Sequence, residues 1–285
     1  MTKMTSKIRF SLSMMAALTL SACGAGADLE NQYVERPVET IYNSAHEELA
    51  LGNYILATQE FDEVERQHPY SLWARRAMVM ASYSYYLQNK YDEAIATARR
   101  FLALYPGNSQ ASYAYYLIAM SHYERISDVG RDQRTTEFAR AALQEVVRRY
   151  PDSDYARDAR LKIDLTEDNL AGKEMSVGRF YLARREYAAA AIRFRHVIEN
   201  YCRTSHLPEA LHRLTEVYIS LGIPSDAQNA AAVLGYNYPN SAWYRQLSDF
   251  ASTRFEAGQR PEILDKPRSR QSYIGWADAG IALHS

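Results

Sequence analysis

The 285-residue sequence has few cysteines, few glycines and prolines, and no apolar stretch long enough to cross a bilayer. Its 2 cysteines allow at most one disulfide, which excludes a fold built on several bridges. The 12 glycines and 9 prolines are few beside the many Ala, Leu, Glu and Arg residues, and this balance predicts an all-α chain. The 33 basic and 34 acidic residues nearly cancel, so the composition does not indicate a nucleic-acid-binding protein.

The N-terminal segment has the pattern of an export signal. Basic residues and no acidic residue precede an apolar run, Phe10–Leu20, which is too short to span a bilayer comfortably. The run ends in Leu20-Ser21-Ala22-Cys23, which resembles the lipobox of bacterial lipoproteins. We therefore predict a lipoprotein signal peptide at 1–22 and a lipid-carrying Cys23. In the alternative interpretation the signal is an ordinary one and Cys23 is an incidental free thiol.

The lipobox resemblance implies both an anchor and a destination. It implies three acyl chains on Cys23, and since each buried CH₂ contributes roughly 0.8 kcal/mol, three chains would hold the protein firmly on a membrane. Gly24 rather than aspartate follows the cysteine, which by the same resemblance implies the periplasmic face of the outer membrane. Residues 23–36 would then be the lipidated N-terminus and tether. With Cys23 lipidated, Cys202 has no partner for an internal disulfide.

A short phrase recurs along the chain and closes successive helical segments. Proline ends a helix and the following serine can cap the next one, so each copy marks a helix stop and a helix start. The copies are His68-Pro69-Tyr70-Ser71, Tyr105-Pro106-Gly107-Asn108-Ser109, Tyr150-Pro151-Asp152-Ser153 and Tyr238-Pro239-Asn240-Ser241. The gap between Pro151 and Pro239 has room for two units, and the missing marker aligns with Tyr201-Cys202. The spacing therefore predicts five helix-pair repeats.

Each unit resembles the tetratricopeptide repeat, most clearly in the second, where the turn Asn89-Lys90-Tyr91 is followed by Ala94, Ala98 and Phe101. The resemblance implies an all-α, right-handed superhelix of five repeats, because stacked helix pairs bury faces that one pair leaves exposed. The third repeat is longer than the others and contains a polar insertion at 125–134. The predicted segments are repeats 1–3 at 37–151, repeats 4 and 5 with a long connecting helix at 152–255, and a polar C-terminal tail at 256–285.

The sequence has no recognisable metal-binding, phosphate-binding or nucleophile motif, which predicts no catalytic residues, no metal and no cofactor beyond the covalent lipid. His46-Glu47-Glu48 lacks the second histidine that a zinc-binding helix requires. Cys202 and His206 suggest a thiol and a base, but a catalytic pair also needs an orienting group and an oxyanion site. A packed turn cysteine is the favoured interpretation, and an enzyme that uses Cys202 is the alternative.

Aromatic residues concentrate on the first helices of the first three repeats. In tetratricopeptide superhelices these helices line a concave face on which extended peptides bind. By alignment, the residues expected on this face are Tyr42, His46, Val79, Tyr83, Tyr86, Tyr113, Tyr116, Met120 and Tyr123. Tyrosine gives a large contact area at low entropic cost, so we predict a trough that binds a peptide with alternating apolar and polar residues. In the alternative interpretation these tyrosines are packing residues that fill the trough.

The lipobox, the five repeats and the long third repeat together resemble the BamD (YfiO/ComL) family of outer-membrane assembly lipoproteins. The more particular strings are Arg131-Asp132-Gln133, Tyr150-Pro151-Asp152-Ser153-Asp154-Tyr155, the run 172–181 and the run 234–239. The resemblance implies a noncatalytic scaffold of the β-barrel assembly machinery whose first three repeats bind the C-terminal signal of unfolded β-barrel proteins. It also implies that the later repeats bind the periplasmic domains of BamA, and that other lipoproteins of the machinery join them.

The same resemblance places part of the BamA contact on the second helix of the fourth repeat. The matching residue is Arg193, with Arg195 as the near alternative. On a helix these two residues point about 200° apart, so we expect only one of them to share a given surface. Cys202 departs from the family pattern, which has proline there, and this puts the following turn in doubt. A repeat lipoprotein that coordinates cell-wall synthesis, division or pilus assembly is the alternative function.

Overall fold

The computed structural model describes residues 35–254, and every regular element in that part of the chain is an α-helix. The helices are α1 (Val38–Ala50), α2 (Tyr54–Gln67), α3 (Leu72–Leu87), α4 (Tyr91–Leu104), α5 (Ala111–Tyr123), α6 (Arg134–Arg149), α7 (Asp154–Ala183), α8 (Tyr187–Asn200), α9 (Leu207–Leu221), α10 (Pro224–Asn237) and α11 (Ala242–Arg254). Each helix from α1 to α11 packs against the next in the chain, and the first helices of neighbouring pairs, α1, α3, α5 and α7, also touch in that order. The expected all-α tetratricopeptide class is confirmed.

Several sequence predictions fall outside this part of the chain. The signal peptide at 1–22, the lipidated Cys23, most of the tether at 23–36 and the tail at 256–285 lie outside the described residues. Within 35–254, no helix combines the length and the apolar composition that a membrane span requires.

The second helix of each pair repeats one packing pattern because its apolar residues keep a fixed register. A buried alanine lies near the start of each of these helices, and apolar residues four and seven positions later are also buried. The five sets are Ala57, Phe61 and Val64; Ala94, Ala98 and Phe101; Ala139, Leu143 and Val146; Ala190, Phe194 and Val197; and Ala227, Ala231 and Leu234. The two later positions differ in size within each set, and all of these side chains are almost completely buried.

The five turns that follow the second helices of the repeats share one geometry, including the turn that lacks proline. In the first, Ser71 N donates to His68 O at 3.0 Å, and in the fourth, Thr204 N donates to Tyr201 O at 3.1 Å. His68 and Tyr201 also have similar backbone angles, with φ −133° and ψ 56° against φ −132° and ψ 40°. Cys202 therefore replaces proline without changing the turn. Thr204 Oγ1 donates to Tyr201 O at 2.8 Å, as Ser153 Oγ donates to Tyr150 O at 2.8 Å in the turn that contains Pro151. The doubt about this turn is resolved in favour of the fourth repeat.

Helix α7 is a single helix of 30 residues that begins under a side-chain cap from Ser153. Its C-terminal half packs against α8, where Gly178 lies against the fully buried ring of Phe194. A β-carbon at Gly178 would lie 2.5 Å from Cε1 of Phe194, which is closer than two carbon atoms can approach. The glycine is therefore required by the ring opposite and not by its own backbone angles.

The polar insertion in the third repeat is an ordered loop between α5 and α6. Nε2 of Gln133 donates to the carbonyl oxygens of Asp128, Val129 and Arg131 at 3.2, 3.3 and 3.1 Å. Nζ of Lys173, on α7, donates to Gly130 O at 3.0 Å. These bonds satisfy the backbone of the loop and attach it to the long helix. They give Gln133 a structural role within the string Arg131-Asp132-Gln133.

Helix α11 closes the last repeat pair. Leu247 is 1% exposed and belongs to the apolar core of the C-terminal half, and the rings of Trp243 and Tyr244 pack against the same core. A β-carbon at Gly235 would meet the Tyr244 ring at 2.7 Å, so the glycine in the run 234–239 makes room for this helix.

Candidate peptide-binding surface

Four of the tyrosines expected in the trough lie together on the neighbouring helices α3 and α5. The rings of Tyr83 and Tyr86 stack with their centroids 6.5 Å apart and an interplanar angle of 17°. The ring of Tyr113 lies 6.3 Å from that of Tyr83, and Tyr116 follows one turn later on α5. Residues three apart share a helix face, so the two helices present one aromatic surface.

Two further tyrosines complete this surface, and sequence reasoning missed both. Tyr155 on α7 lies 5.3 Å from Tyr113 and 5.1 Å from Tyr116, between ring centroids. Tyr91, at the start of α4, lies 5.9 Å from Tyr86. The sequence signal that could have found them is their position, because each lies at the start of a helix directly after a turn. We call these six partly buried residues, Tyr83, Tyr86, Tyr91, Tyr113, Tyr116 and Tyr155, the tyrosine cluster.

Three hydroxyl groups of the tyrosine cluster form hydrogen bonds inside the protein, and one of them is local, from Tyr91 Oη to Asn89 Oδ1 at 2.8 Å. Tyr86 Oη donates to Glu124 Oε1 at 3.1 Å, and Tyr116 Oη donates to Asp158 Oδ2 at 2.6 Å. The same Asp158 accepts a bond from Lys162 Nζ at 2.8 Å. The bonds of Tyr86 and Tyr116 link elements of neighbouring repeats, so these two hydroxyls hold the repeats in register and the ring faces are left for contact.

Burial raises the pKa of four tyrosines of the cluster, Tyr86, Tyr91, Tyr113 and Tyr116. Burial, followed by the nearby Glu124 carboxylate, raises the pKa of Tyr86 to about 12. Burial also raises the pKa of Tyr113, with a further contribution from Tyr83, and the pKa of Tyr116, which donates to Asp158. Neutral phenol rings of this kind suit a partner that offers apolar or aromatic side chains.

We expect the substitution Tyr116→Phe to raise the pKa of Asp158. Burial raises this pKa, but the hydrogen bonds from Lys162 and Tyr116 outweigh it and hold the pKa below its ordinary value. A lowered pKa in the folded state stabilises the fold above the unfolded pKa, and this stabilisation is lost as the pH falls through the folded value. A carboxyl-carbon NMR titration of both chains measures the change. Identical midpoints would show that the Tyr116 bond does not act on the carboxylate.

The remaining trough residues are placed differently from the prediction or apart from the cluster. Tyr42 packs 4.8 Å from Trp73 and 5.6 Å from Phe61, between ring centroids, while His46 is exposed. Tyr123 lies beneath Lys162 Nζ, 5.7 Å from its ring centroid. Val79 and Met120, expected on the concave face, are 1% and 8% exposed. That expectation was wrong for both, because their side chains pack into the core between helices.

Arg193 and Arg195 flank one shallow cavity on α8, which Ile192, His196 and Glu199 also line. Arg193 Nη1 donates to Glu174 Oε2 on α7 at 3.1 Å, and this carboxylate is largely buried. Arg195 is exposed, forms no ion pair with a described residue, and lies towards Tyr218 on α9. The expectation that only one arginine shares a given surface was wrong, because a long side chain reaches the same cavity from either flank of the helix.

Cys202 and His206 do not form a pair. Cys202 is partly buried against the C-terminal core, whereas Nε2 of His206 lies 3.7 Å from Asp168 Oδ2 and faces Gly172. Ser205 N and Oγ donate to the same carboxylate at 3.0 and 2.7 Å. Asp168 therefore accepts hydrogen bonds from the turn before α9. Over residues 35–254, no three His, Cys, Asp or Glu side chains are grouped as metal ligands.

Comparison with known proteins gives a consistent result along the chain. Residues 34–234 match the family model YfiO, described as an outer membrane lipoprotein. The chain is 50% identical over 277 residues to the outer membrane protein assembly factor BamD of Caulobacter vibrioides, covering 94% of this chain and 91% of that protein. It is 41% identical to BamD of Rickettsia prowazekii, over 82% of this chain and 93% of that one. The BamD of Neisseria meningitidis serogroup A is 33% identical, over 82% and 92%.

Proposed function

Because the chain belongs to the BamD (YfiO) family, it is an outer membrane protein assembly factor, and we propose that it acts as a noncatalytic scaffold anchored by lipid at Cys23. The similarity to the Caulobacter vibrioides protein over 94% of the chain carries this proposal. The lipobox at Leu20-Ser21-Ala22-Cys23 supports the anchor, and the family description as a lipoprotein agrees with it. The scaffold needs no catalytic residue, metal or cofactor.

The N-terminal repeats offer the surface for unfolded outer-membrane proteins. The tyrosine cluster extends over three neighbouring repeats, from α3 through α5 to α7, and its rings are partly exposed. An extended segment that alternates apolar and polar residues places one row of side chains on such a surface and leaves the other row in water. A strand that will become part of a β-barrel has this alternation.

The α8 cavity offers the surface for the periplasmic domains of BamA. Arg193 already has a carboxylate partner in Glu174, so Arg195 is the arginine that is free to pair with an acidic group of a partner. The exposed side chain of Ile192, which is 60% accessible, supplies an apolar contact beside it. We assign Arg195 as the docking charge and Arg193 as the residue that holds α8 against α7.

Copurification from the native membrane tests this proposal. The tagged chain, extracted in mild detergent, should retain BamA, and Arg195→Glu should reduce the BamA recovered by at least about tenfold because it places like charges in contact. Arg193→Gln is the matched control within the same cavity, and it should lower thermal stability more than BamA recovery. If neither the native chain nor the control retains BamA, the scaffold proposal fails.

Depletion separates the proposal from the alternative role in cell-wall synthesis, division or pilus assembly, which the relatives do not favour. Loss of many β-barrel proteins from the outer membrane is the expected result. Normal β-barrel levels together with a division or pilus defect would contradict it.

A further inference from the structure

Exposed apolar side chains lie along the edge of the stack from which the chain leads back to Cys23. Tyr70 is 95% exposed, Leu72 is 69% exposed and Leu104 is 57% exposed. All three lie in or beside the first two turns between repeats, at 68–71 and 105–110. Exposed apolar residues on two adjacent turns together form an apolar patch, whereas singly scattered apolar residues are ordinary on a protein surface.

The N-terminal end of the described chain lies at this same edge. Arg36 N donates to Gln67 Oε1 at 2.9 Å, and His68 Nε2 is 2.8 Å from Arg36 O. Twelve peptide units separate Cys23 from Glu35, so whatever their conformation they span at most about 40 Å. The lipid anchor therefore attaches the chain at this edge, whereas the opposite edge lies farther from the point of attachment by the length of α1, about 20 Å.

Two arginines that form no ion pair with a described residue accompany the apolar side chains. The guanidinium of Arg75 lies over the Tyr105 ring, 5.2 Å from its centroid, and that of Arg76 lies 5.5 Å from the centroid of the Trp73 ring. Leu72, Arg75 and Arg76 share one face of the first turns of α3. An arginine can bury its aliphatic stem at a lipid surface while its charge remains with the phosphate groups.

We propose that this edge, formed by Tyr70, Leu72, Arg75, Arg76 and Leu104, lies on the phospholipid surface and fixes the orientation of the stack on the membrane. We call it the tether edge. The apolar side chains enter the interface and the two arginines face lipid phosphates, as in other proteins that lie on a membrane without crossing it. The inference rests on the lipid anchor at Cys23 described under the proposed function. The tether edge adds a second contact with the membrane. The lipid attaches the chain, and the tether edge sets the angle between the stack of helices and the membrane surface.

The experiment compares the tether edge with an equally apolar site at the opposite edge. The control residues are Leu51, which is 74% exposed, and Ile55, which is 59% exposed. They lie at the turn that joins α1 to α2, at the opposite edge of the stack. The full lipoprotein carrying Cys202→Ser is placed in vesicles of phosphatidylethanolamine and phosphatidylglycerol. Leu104→Cys or Leu51→Cys then introduces a site for a fluorophore, and lipids with a nitroxide near the headgroup act as quencher. Leu104 is largely exposed, so the fold tolerates the label.

The fluorophore at position 104 should be quenched at least about twofold more than the fluorophore at position 51. Equal quenching at the two positions, in protein that floats with the vesicles, would overturn the tether edge while leaving the anchor intact. Protein that does not float would instead contradict the lipid anchor of the proposed function.

A second measurement tests the tether edge independently of the lipid. The mature chain with Cys23→Ser is sedimented with the same vesicles, and its partitioning should fall by at least about fivefold on combining Leu72→Ser with Leu104→Ser. The combination of Leu51→Ser with Ile55→Ser should leave partitioning unchanged. Replacing phosphatidylglycerol by phosphatidylcholine should weaken binding of the parent chain, because it removes the anionic lipids that attract Arg75 and Arg76. If both double variants behave alike, the edge makes no membrane contact.

Discussion

Replacing Phe194 by alanine should lower the free energy of unfolding by about 4 kcal/mol. The ring is fully buried between α7 and α8, where it packs in the C-terminal core and against Gly178. Removing it takes away apolar contacts and leaves a cavity that rigid helices cannot close completely. Urea unfolding followed by circular dichroism measures the difference between the two chains.

The matched control is Phe180→Ala, which removes the same side chain from a position that is 55% exposed on α7. Its ring contacts Tyr181 and Arg184 but no buried core, so the expected loss is below about 1 kcal/mol. Similar losses for the two variants would mean that Phe194 does not lie in a closely packed site.

The contact between Gly178 and Phe194 also predicts a coupling between the two positions. Gly178→Ala alone should destabilise the fold, because its β-carbon would overlap the ring, despite the better helix propensity of alanine. In a chain that carries Phe194→Leu the same substitution should be less harmful, since the smaller side chain leaves room. Additive effects would contradict the close approach of glycine and ring.

Replacing Tyr83 and Tyr113 together by alanine should weaken binding of a peptide from the C-terminal strand of an outer-membrane β-barrel protein by at least about tenfold. The two rings lie 6.3 Å apart at the centre of the tyrosine cluster, on neighbouring helices. Aromatic residues at the centre of an interface contribute most of its binding energy, and tenfold corresponds to about 1.4 kcal/mol. Fluorescence anisotropy of a labelled synthetic peptide measures the affinity.

Tyr115→Ala is the matched control for this loss. Tyr115 is on the same helix as Tyr113, but its ring lies 5.8 Å from that of Tyr150 and beneath Arg149, away from the tyrosine cluster. This variant should change the affinity by less than about twofold. A comparable loss in the control would show that binding depends on the stability of α5 and not on the surface of the cluster.

Phenylalanine substitutions separate the rings from their hydroxyl groups. Tyr86→Phe and Tyr116→Phe keep the aromatic faces and remove the bonds to Glu124 and Asp158. Because these hydroxyls already have partners inside the protein, the peptide affinity should be nearly unchanged and the thermal stability slightly lower. A large loss of affinity would mean that the peptide competes for the hydroxyls.

The helical repeats could be predicted because their signals are local. A turn and a fixed alanine recur within each unit, four of the five turns contain proline, and a helix buries residues at a spacing that its own geometry sets. For the long third repeat, the insertion predicted at 125–134 agrees within one residue with the loop between α5, which ends at Tyr123, and α6, which begins at Arg134. Even the repeat without a proline marker was found, since Tyr201-Cys202 has the position of the other turns and Thr204 supplies the closing bond.

The site was less predictable because membership depends on contacts between helices. Alignment placed Val79 and Met120 beside the tyrosines, yet both are buried, since a small rotation of a helix about its axis moves a residue from the groove into the core. Tyr155 was omitted because it belongs to the next repeat, and only the packing of α7 on α5 brings it to Tyr113 and Tyr116. Tertiary packing also decided that Arg193 forms an ion pair with Glu174 while Arg195 remains exposed.

The sequence by itself therefore determined the helical class, the number and register of the repeats, and the scarcity of cysteine that leaves stability to packing. Those properties follow from patterns that repeat within one helix pair. Only the tertiary structure decided which tyrosines share a surface, which arginine is free, and which edge lies beside the tethered end. Residues 38 and 42 positions apart in the chain come together there, and their distances depend on how each helix pair stacks on the next.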